Sequence, residues 1–125
     1  MVADTSIFIE HLRARKKTST LLYKYFDQTQ LFLSAVTMYE LLMGATTDEK
    51  KNDVKIITED LIVLPFSAEV ASEAAKIYHD LKKRNKLIEF RDIFIAATSL
   101  ANDLPLLTLN EKHFKRIKGL DILPV

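Results

Sequence analysis

The sequence predicts a single three-layer α/β/α domain spanning residues 1–125, with a short, mainly parallel central sheet. Three observations predict it. Short apolar runs alternate along the whole chain with longer segments whose apolar residues recur at helical spacing. The runs are only two or three residues long and apolar throughout, as expected of strands covered by helices on both faces. The 125 residues, 48% hydrophobic and 28% charged, suffice for one core but not two.

The first run, Val2–Ala3, ends in Asp4 and is followed by Thr5 and Ser6, either of which suits a helix N-cap. Ile7, Phe8, Ile9 and Leu12 give the helix its apolar face, and Arg13, Arg15, Lys16 and Lys17 form a solvated basic end. Thr18 or Ser19 is the expected cap of a helix carrying Leu21, Leu22, Tyr25 and Phe26. Leu31–Leu33 is the second strand, closed by Ser34, and Ala35–Gly44 the helix after it. Asp48 to about Leu61 is a charged surface helix, with Val54, Ile57 and Leu61 turned inward. Ile62–Leu64 is a strand cut by Pro65. Ser67 caps a long helix through Val70, Ala74, Ile77 and Leu81, ending in Lys82–Lys83–Arg84–Asn85–Lys86. Glu89 to Asn102 is a helix rich in small residues, which allow close packing on a sheet. Leu106–Leu107 is a strand, Asn110 the cap of a short helix through Phe114 and Ile117, and Asp121–Leu123 a last edge strand.

Composition narrows the function. Formal net charge is +1, so nucleic-acid affinity would have to come from local patches. The absence of cysteine removes disulfides, thiolate metal sites and cysteine nucleophiles. Gly44 and Gly119 are the only glycines, which excludes a glycine-rich phosphate loop. No apolar run approaches the ~20 residues that span a bilayer, and the start has no signal-peptide pattern. A cytoplasmic protein without membrane contact is expected.

The acids hold the chemistry. Asp4 follows a strand, and in open parallel sheets that end faces the ligand crevice. Glu40 sits among Tyr39, Leu41, Leu42 and Met43; Thr37-x-x-Glu40 also fits a capping box. Asp92 lies in the first turn of an apolar helix, three residues after Glu89. Asn110 follows the strand and Thr108, where a plain N-cap explains it equally well. In a parallel sheet these four can meet at one edge. Two unit charges ~4 Å apart repel by roughly 4 kcal/mol at an effective dielectric of ~20, so clustered carboxylates call for a cation. Oxygen ligands without soft partners favour Mg²⁺ or Mn²⁺. His11, His79 and His113 have no ligand spacing and read as surface or packing residues.

Four segments together resemble the PIN-domain nucleases, in particular the VapC-like toxins of prokaryotic toxin–antitoxin pairs. They are Val2–Ile9, Ser34–Ala45, Arg91–Ala97 and Leu106–Phe114, in the family's order and over nearly the whole chain. The resemblance implies a PIN-like fold and a Mg²⁺- or Mn²⁺-dependent endoribonuclease. Asp4 and Asp92 would be its principal metal carboxylates, Glu40 would complete the acidic cluster, and Asn110 would take the fourth catalytic position. Thr5, Ser6 and Thr108 would support the site. Two positions depart from the pattern: Asn110 stands where an Asp is common, and Asn85 lies near the place of a usual glycine. The first departure leaves open a non-catalytic, RNA-binding or regulatory PIN-like module. A phosphoacceptor domain would need an acid after the third strand, which ends Leu64–Pro65–Phe66–Ser67.

The same reading gives partners. Lys82, Lys83, Arg84, Lys86 and Arg91 form the candidate RNA-backbone patch, and a solvated helix end is the alternative. A small antitoxin is implied by the resemblance. A groove lined by Leu21, Tyr25, Tyr39 and Met43 would receive its amphipathic segment. A homodimer is also expected, through the helix faces near Ile93–Ala101 or the long helix from Ser67.

Overall fold

The computed structural model describes residues 1–125 and is a three-layer α/β/α domain. Four strands, β1 (Val2–Ala3), β2 (Phe32–Ser34), β3 (Ile62–Leu64) and β4 (Leu106–Leu107), form one parallel sheet in the order β3-β2-β1-β4. Seven helices surround it: α1 (Thr5–Arg13), α2 (Leu21–Phe26), α3 (Ala35–Gly44), α4 (Asp48–Thr58), α5 (Ala68–Lys83), α6 (Phe90–Ala101) and α7 (Glu111–Phe114). None is long and apolar enough to cross a membrane.

The side-chain period of two divides the strands between two cores. Val2 and Leu106, with Phe32 and Leu64, face α5, α6, Phe114 and Ile117. Ala3, Leu33 and Leu107 face Ile7 and Phe8 of α1, Leu22 of α2, Leu41 of α3 and Val54 of α4. Apolar residues at consecutive strand positions therefore serve opposite layers. The buried faces of α5 and α6 are used against each other and the sheet. Val70, Ala74, Ile77 and Leu81 meet Ile93, Ile95, Ala96 and Ala97 in one cluster. Those buried faces are not available to a second copy, so a dimer through these helices would have to use their exposed residues.

Several caps differ from the sequence expectation. Asp4 itself caps α1, its carboxylate accepting from the Ser6 backbone N–H, so Thr5 is already helical. Thr20 caps α2 instead of Thr18 or Ser19, which are spent in a 3-10 turn, Lys17–Ser19. Ser34 caps α3 by accepting from Thr37, which displaces the capping box read at Thr37 and Glu40. Asn110 stands at the cap of α7, but its side chain makes no capping bond. Ser67 caps α5 as expected. Asp121–Leu123 adds a single parallel bridge, Ile122 to Leu106, and no further strand. Pro124 follows at once and has no N–H to extend a ladder.

Candidate active site

The strand order places the switch in winding direction beside β1. The chain steps from β1 to β2 to β3 on one side and returns as β4 on the other. Such a point opens a crevice at the carboxyl ends of the strands. Asp4 leaves β1 there, Ser34 ends β2, and Thr108 follows β4.

Asp4 is almost fully buried. Its Oδ1 accepts from the Ser6 backbone N–H at 3.0 Å and from the Ser6 hydroxyl, while Oδ2 accepts from the Thr108 hydroxyl. Ser6 Oγ in turn accepts from Leu109 N–H, and Thr108 Oγ1 from Asn110 N–H. The carboxylate is thus locked between α1 and the β4–α7 turn. Burial pushes its pKa above the ordinary carboxylate value, while the bonds from Ser6 and Thr108 pull against that rise.

Glu40 projects from α3 toward the same crevice. Its Oε1 accepts from the Thr5 hydroxyl at 2.8 Å, and its Oε2 lies 3.3 Å from Arg91 Nη1. Thr5 is also 3.1 Å from the hydroxyl of buried Thr37, which Ser34 Oγ approaches to 3.2 Å. A run of hydroxyls therefore lines the sheet edge under the acids. Asp92 is half-buried in the first turn of α6. Burial raises its pKa first, then the charges of Asp4, Glu89 and Glu40; His113, whose Nδ1 is 3.8 Å from Asp92 Oδ2, opposes them.

The residues so assembled are Asp4, Glu40 and Asp92, with Thr5, Ser6 and Thr108 as their hydrogen-bonding support. Asn110 joins through its backbone, its side chain exposed and unbonded. No three of the His, Asp and Glu side chains form a tight, ready-made ligand set; hydroxyls hold Asp4, and Thr5 and Arg91 hold Glu40. The donors present are nonetheless mainly carboxylate and hydroxyl oxygens, with the His113 imidazole beside Asp92. A set dominated by hard oxygens fits a hard divalent cation such as Mg²⁺ or Mn²⁺.

Three residues escaped the sequence reading. His113 belongs to the acidic centre; its signal was its position three residues after Asn110, on a helix leaving the same sheet edge. Ser34 and Thr37 supply hydroxyls, and Ser34 sits at a strand end just as Asp4 does. The basic patch is smaller than expected. Arg84 donates from Nε and Nη2 to Asp80 and from Nη2 to the Arg116 carbonyl, which pins the end of α5 to the C-terminal segment. Its guanidinium is therefore already engaged within the chain. Arg91 is paired with Glu40 and Glu89. Lys82, Lys83 and Lys86 remain exposed.

The expected partner groove also shifts. Leu21 and Tyr25 pack into the core because the six-residue α2 lies flat on α1. Tyr39 and Met43 stand out from α3, 60% and 53% exposed. The groove beside Glu40 instead runs between α1, α3 and α4, about 580 Å³ in volume, with Ile9, Leu12, Leu41 and Val54 as apolar lining.

The sequence profile of the family described as PIN domain matches residues 1–120. The chain belongs to the PIN domain family. Among its relatives are Ribonuclease VapC1 of Rickettsia felis, 34% identical, and Ribonuclease VapC of Rickettsia bellii, 36% identical. Each alignment covers 100% of this chain and 96% of the relative. The PIN fold is equally clear in three dimensions. The structure of VapBC-1 from nontypeable Haemophilus influenzae superposes with a TM-score of 0.86 at 27% identity, over 98% of this chain and 95% of that one. This PIN domain carries its acids just after β1 and on α3 and α6, within the segments whose resemblance the sequence displayed.

The raised pKa of Asp92 has a measurable consequence in the metal-free protein. A carboxyl whose folded pKa exceeds its unfolded one stabilises the fold at low pH, and that stability is lost as pH rises through the folded value. Asp92→Asn in chelator should therefore match the parent in Tm below the ordinary Asp range. It should exceed it at neutral pH, where the parent's Asp92 is charged. A Tm difference that does not vary with pH would count against the repulsion.

Proposed function

We propose that this chain, as one PIN domain over residues 1–125, is the ribonuclease toxin of a toxin–antitoxin pair. It would act in the cytoplasm as an endonuclease, hydrolysing RNA phosphodiester bonds with Mg²⁺ or Mn²⁺. The observation that carries the reading is the oxygen-lined acidic centre at the sheet's switch point, in a chain related along its full length to proteins named VapC ribonucleases.

Asp4 and Asp92, with Glu40, would hold the cation. Bound there, it supplies a polarised water as nucleophile and neutralises charge on the phosphodiester. The chain's own groups orient and select. Ser6 and Thr108 hold both Asp4 oxygens, and Thr5 holds one oxygen of Glu40. The exposed Asn110 amide is free to contact substrate. Lys82, Lys83 and Lys86 draw the RNA backbone by charge without reading its sequence. The antitoxin's amphipathic segment takes the groove between α1, α3 and α4, with Tyr39 and Met43 beside it. A second copy would cover the exposed side chains of Ile62, Val63, Phe66 and Phe90, and sedimentation velocity reports whether it does.

The test is RNA cleavage by the purified chain. Cutting should need Mg²⁺ or Mn²⁺, stop in EDTA, and cease when the product of the adjoining gene is added. Undiminished cutting in EDTA would remove the metal from this reading. No cutting of any RNA with either metal would remove the nuclease.

A further inference from the structure

Arg91 holds an unusual place. It is the second residue of α6, directly before Asp92, and its guanidinium spans two carboxylates. Nη1 is 3.3 Å from Glu40 Oε2, and Nη2 is 3.2 Å from Glu89 Oε2. The two partners differ sharply. The Glu40 side chain is 16% exposed and faces the acidic centre, whereas that of Glu89 is 73% exposed and faces solvent. Arg91 itself is 47% exposed. A guanidinium cannot lose its proton to relieve repulsion, so when a second cation arrives it must move. The only other donor to Glu40 is the neutral hydroxyl of Thr5, on the opposite oxygen. Oε2 is thus the oxygen that a cation and Arg91 would contest.

We propose that Arg91 is an exchangeable counterion, a positioning residue that neutralises Glu40 until a divalent cation takes its place and then turns to an RNA phosphate. This rests on the metal-site reading above. Glu89 is its outward resting partner: it keeps the guanidinium at the rim of the crevice, within reach of a bound backbone. The exchange is available because Arg91, though not Glu40, is half in water: the guanidinium recovers hydration when it leaves, and a divalent cation brings twice its charge to Glu40. Arg91 also stays planar and forked, the geometry that binds phosphate through two N–H groups. Metal and RNA then act in one direction. The cation releases the guanidinium, and the phosphate retains it.

The test measures Mn²⁺ binding and RNA binding separately on the full chain. Mn²⁺ affinity is read by electron paramagnetic resonance without RNA. RNA affinity is read with a non-cleavable RNA in Mn²⁺. Arg91→Ala should tighten Mn²⁺ roughly fivefold, the conversion of about 1 kcal/mol. It should weaken RNA and lower the salt slope of RNA binding by about one contact. Glu89→Gln should do the reverse for the metal, weakening Mn²⁺ because Arg91 then leans on Glu40 alone. Arg91→Lys keeps the charge and loses the fork. It should leave Mn²⁺ nearly as in the parent and still weaken RNA, which keeps the test open if the Ala variant does not fold. Mn²⁺ bound by the parent but no tighter by Arg91→Ala would overturn the exchange alone. Failure of the parent to bind Mn²⁺ at a site sensitive to Asp92→Asn would overturn the metal-site reading, and the exchange with it.

Discussion

Asp4→Asn should abolish RNA cleavage, by at least about 10³-fold, while the protein remains folded. The rate loss is the equivalent of roughly 4 kcal/mol, within the several kcal/mol that a correctly held divalent cation supplies. The fold survives for a local reason. Asn keeps one oxygen to accept from Ser6, and its amide can donate to the Thr108 hydroxyl, which also accepts from Asn110. It also removes a buried charge whose desolvation raises the Asp4 pKa. Thermal melting in chelator should show Asp4→Asn no less stable than the parent at neutral pH. Single-turnover cleavage at saturating Mn²⁺ is the rate measurement. A variant that melts normally and cuts RNA at the parent's rate would displace Asp4 from the catalytic role.

Phe114→Ala should cost about 3–5 kcal/mol, a large share of the roughly 5–15 kcal/mol that holds a domain of this kind together. Phe114 is fully buried and packs in the cluster that contains Val2, Leu106 and Ile117. It is also the last residue of α7, only four residues long and too short to persist alone. Removing the ring therefore both empties core volume and frees the segment carrying Asn110 and His113. Urea titration should show a much lower midpoint with little change in slope. Below that midpoint, cleavage should fall further than the folded fraction predicts. Activity that tracks the folded fraction alone would mean that α7 contributes packing and no positioning.

The fold was legible because burial on both faces leaves a plain signature. Two- and three-residue strands such as Val2–Ala3 and Leu106–Leu107 are apolar at every position, and long helices such as α5 show their stripe and their Ser67 cap. The acids were legible as positions, since Asp4 follows a strand, Asp92 opens a helix and Glu40 is a lone charge among apolar residues of α3. What failed was the assignment of who bonds whom. Thr37-x-x-Glu40 spells a capping box, yet Ser34 ends a strand one residue before α3 begins and reaches the N–H of Thr37 first. That leaves Glu40 to Thr5 and Arg91, which lie 35 and 51 positions away in the chain. Arg84 and Arg91 read as free cations although Asp80 and Glu89 stand close in sequence; their second partners, Arg116 and Glu40, are remote and gave no signal. Local spacing reports local partners. Two of the four groove residues read from sequence are engaged for the same reason. The faces of Leu21 and Tyr25 are apolar in sequence, and only the packing of α2 on α1 shows them to be already used.

The pairing of β1 with β4 sets a clock. Val2 and Ala3 lie beside Leu106 and Leu107, and Asp4 receives its hydroxyl from Thr108, a partner 104 residues later in the chain. A ribosome making this protein delivers the first acid at once and its partner strand almost last. Contacts this distant in sequence form late and slowly. Until residue 108 emerges, the nascent chain has β2 on one flank of its central strand but no β4 on the other, and its first carboxylate lacks the Thr108 bond. An enzyme built on this plan lacks a flanking strand and one support of its first acid until its synthesis is nearly complete. Chains released by a stop codon before Leu106 should accordingly be harmless when expressed alone, and growth arrest by such a fragment would refute the clock.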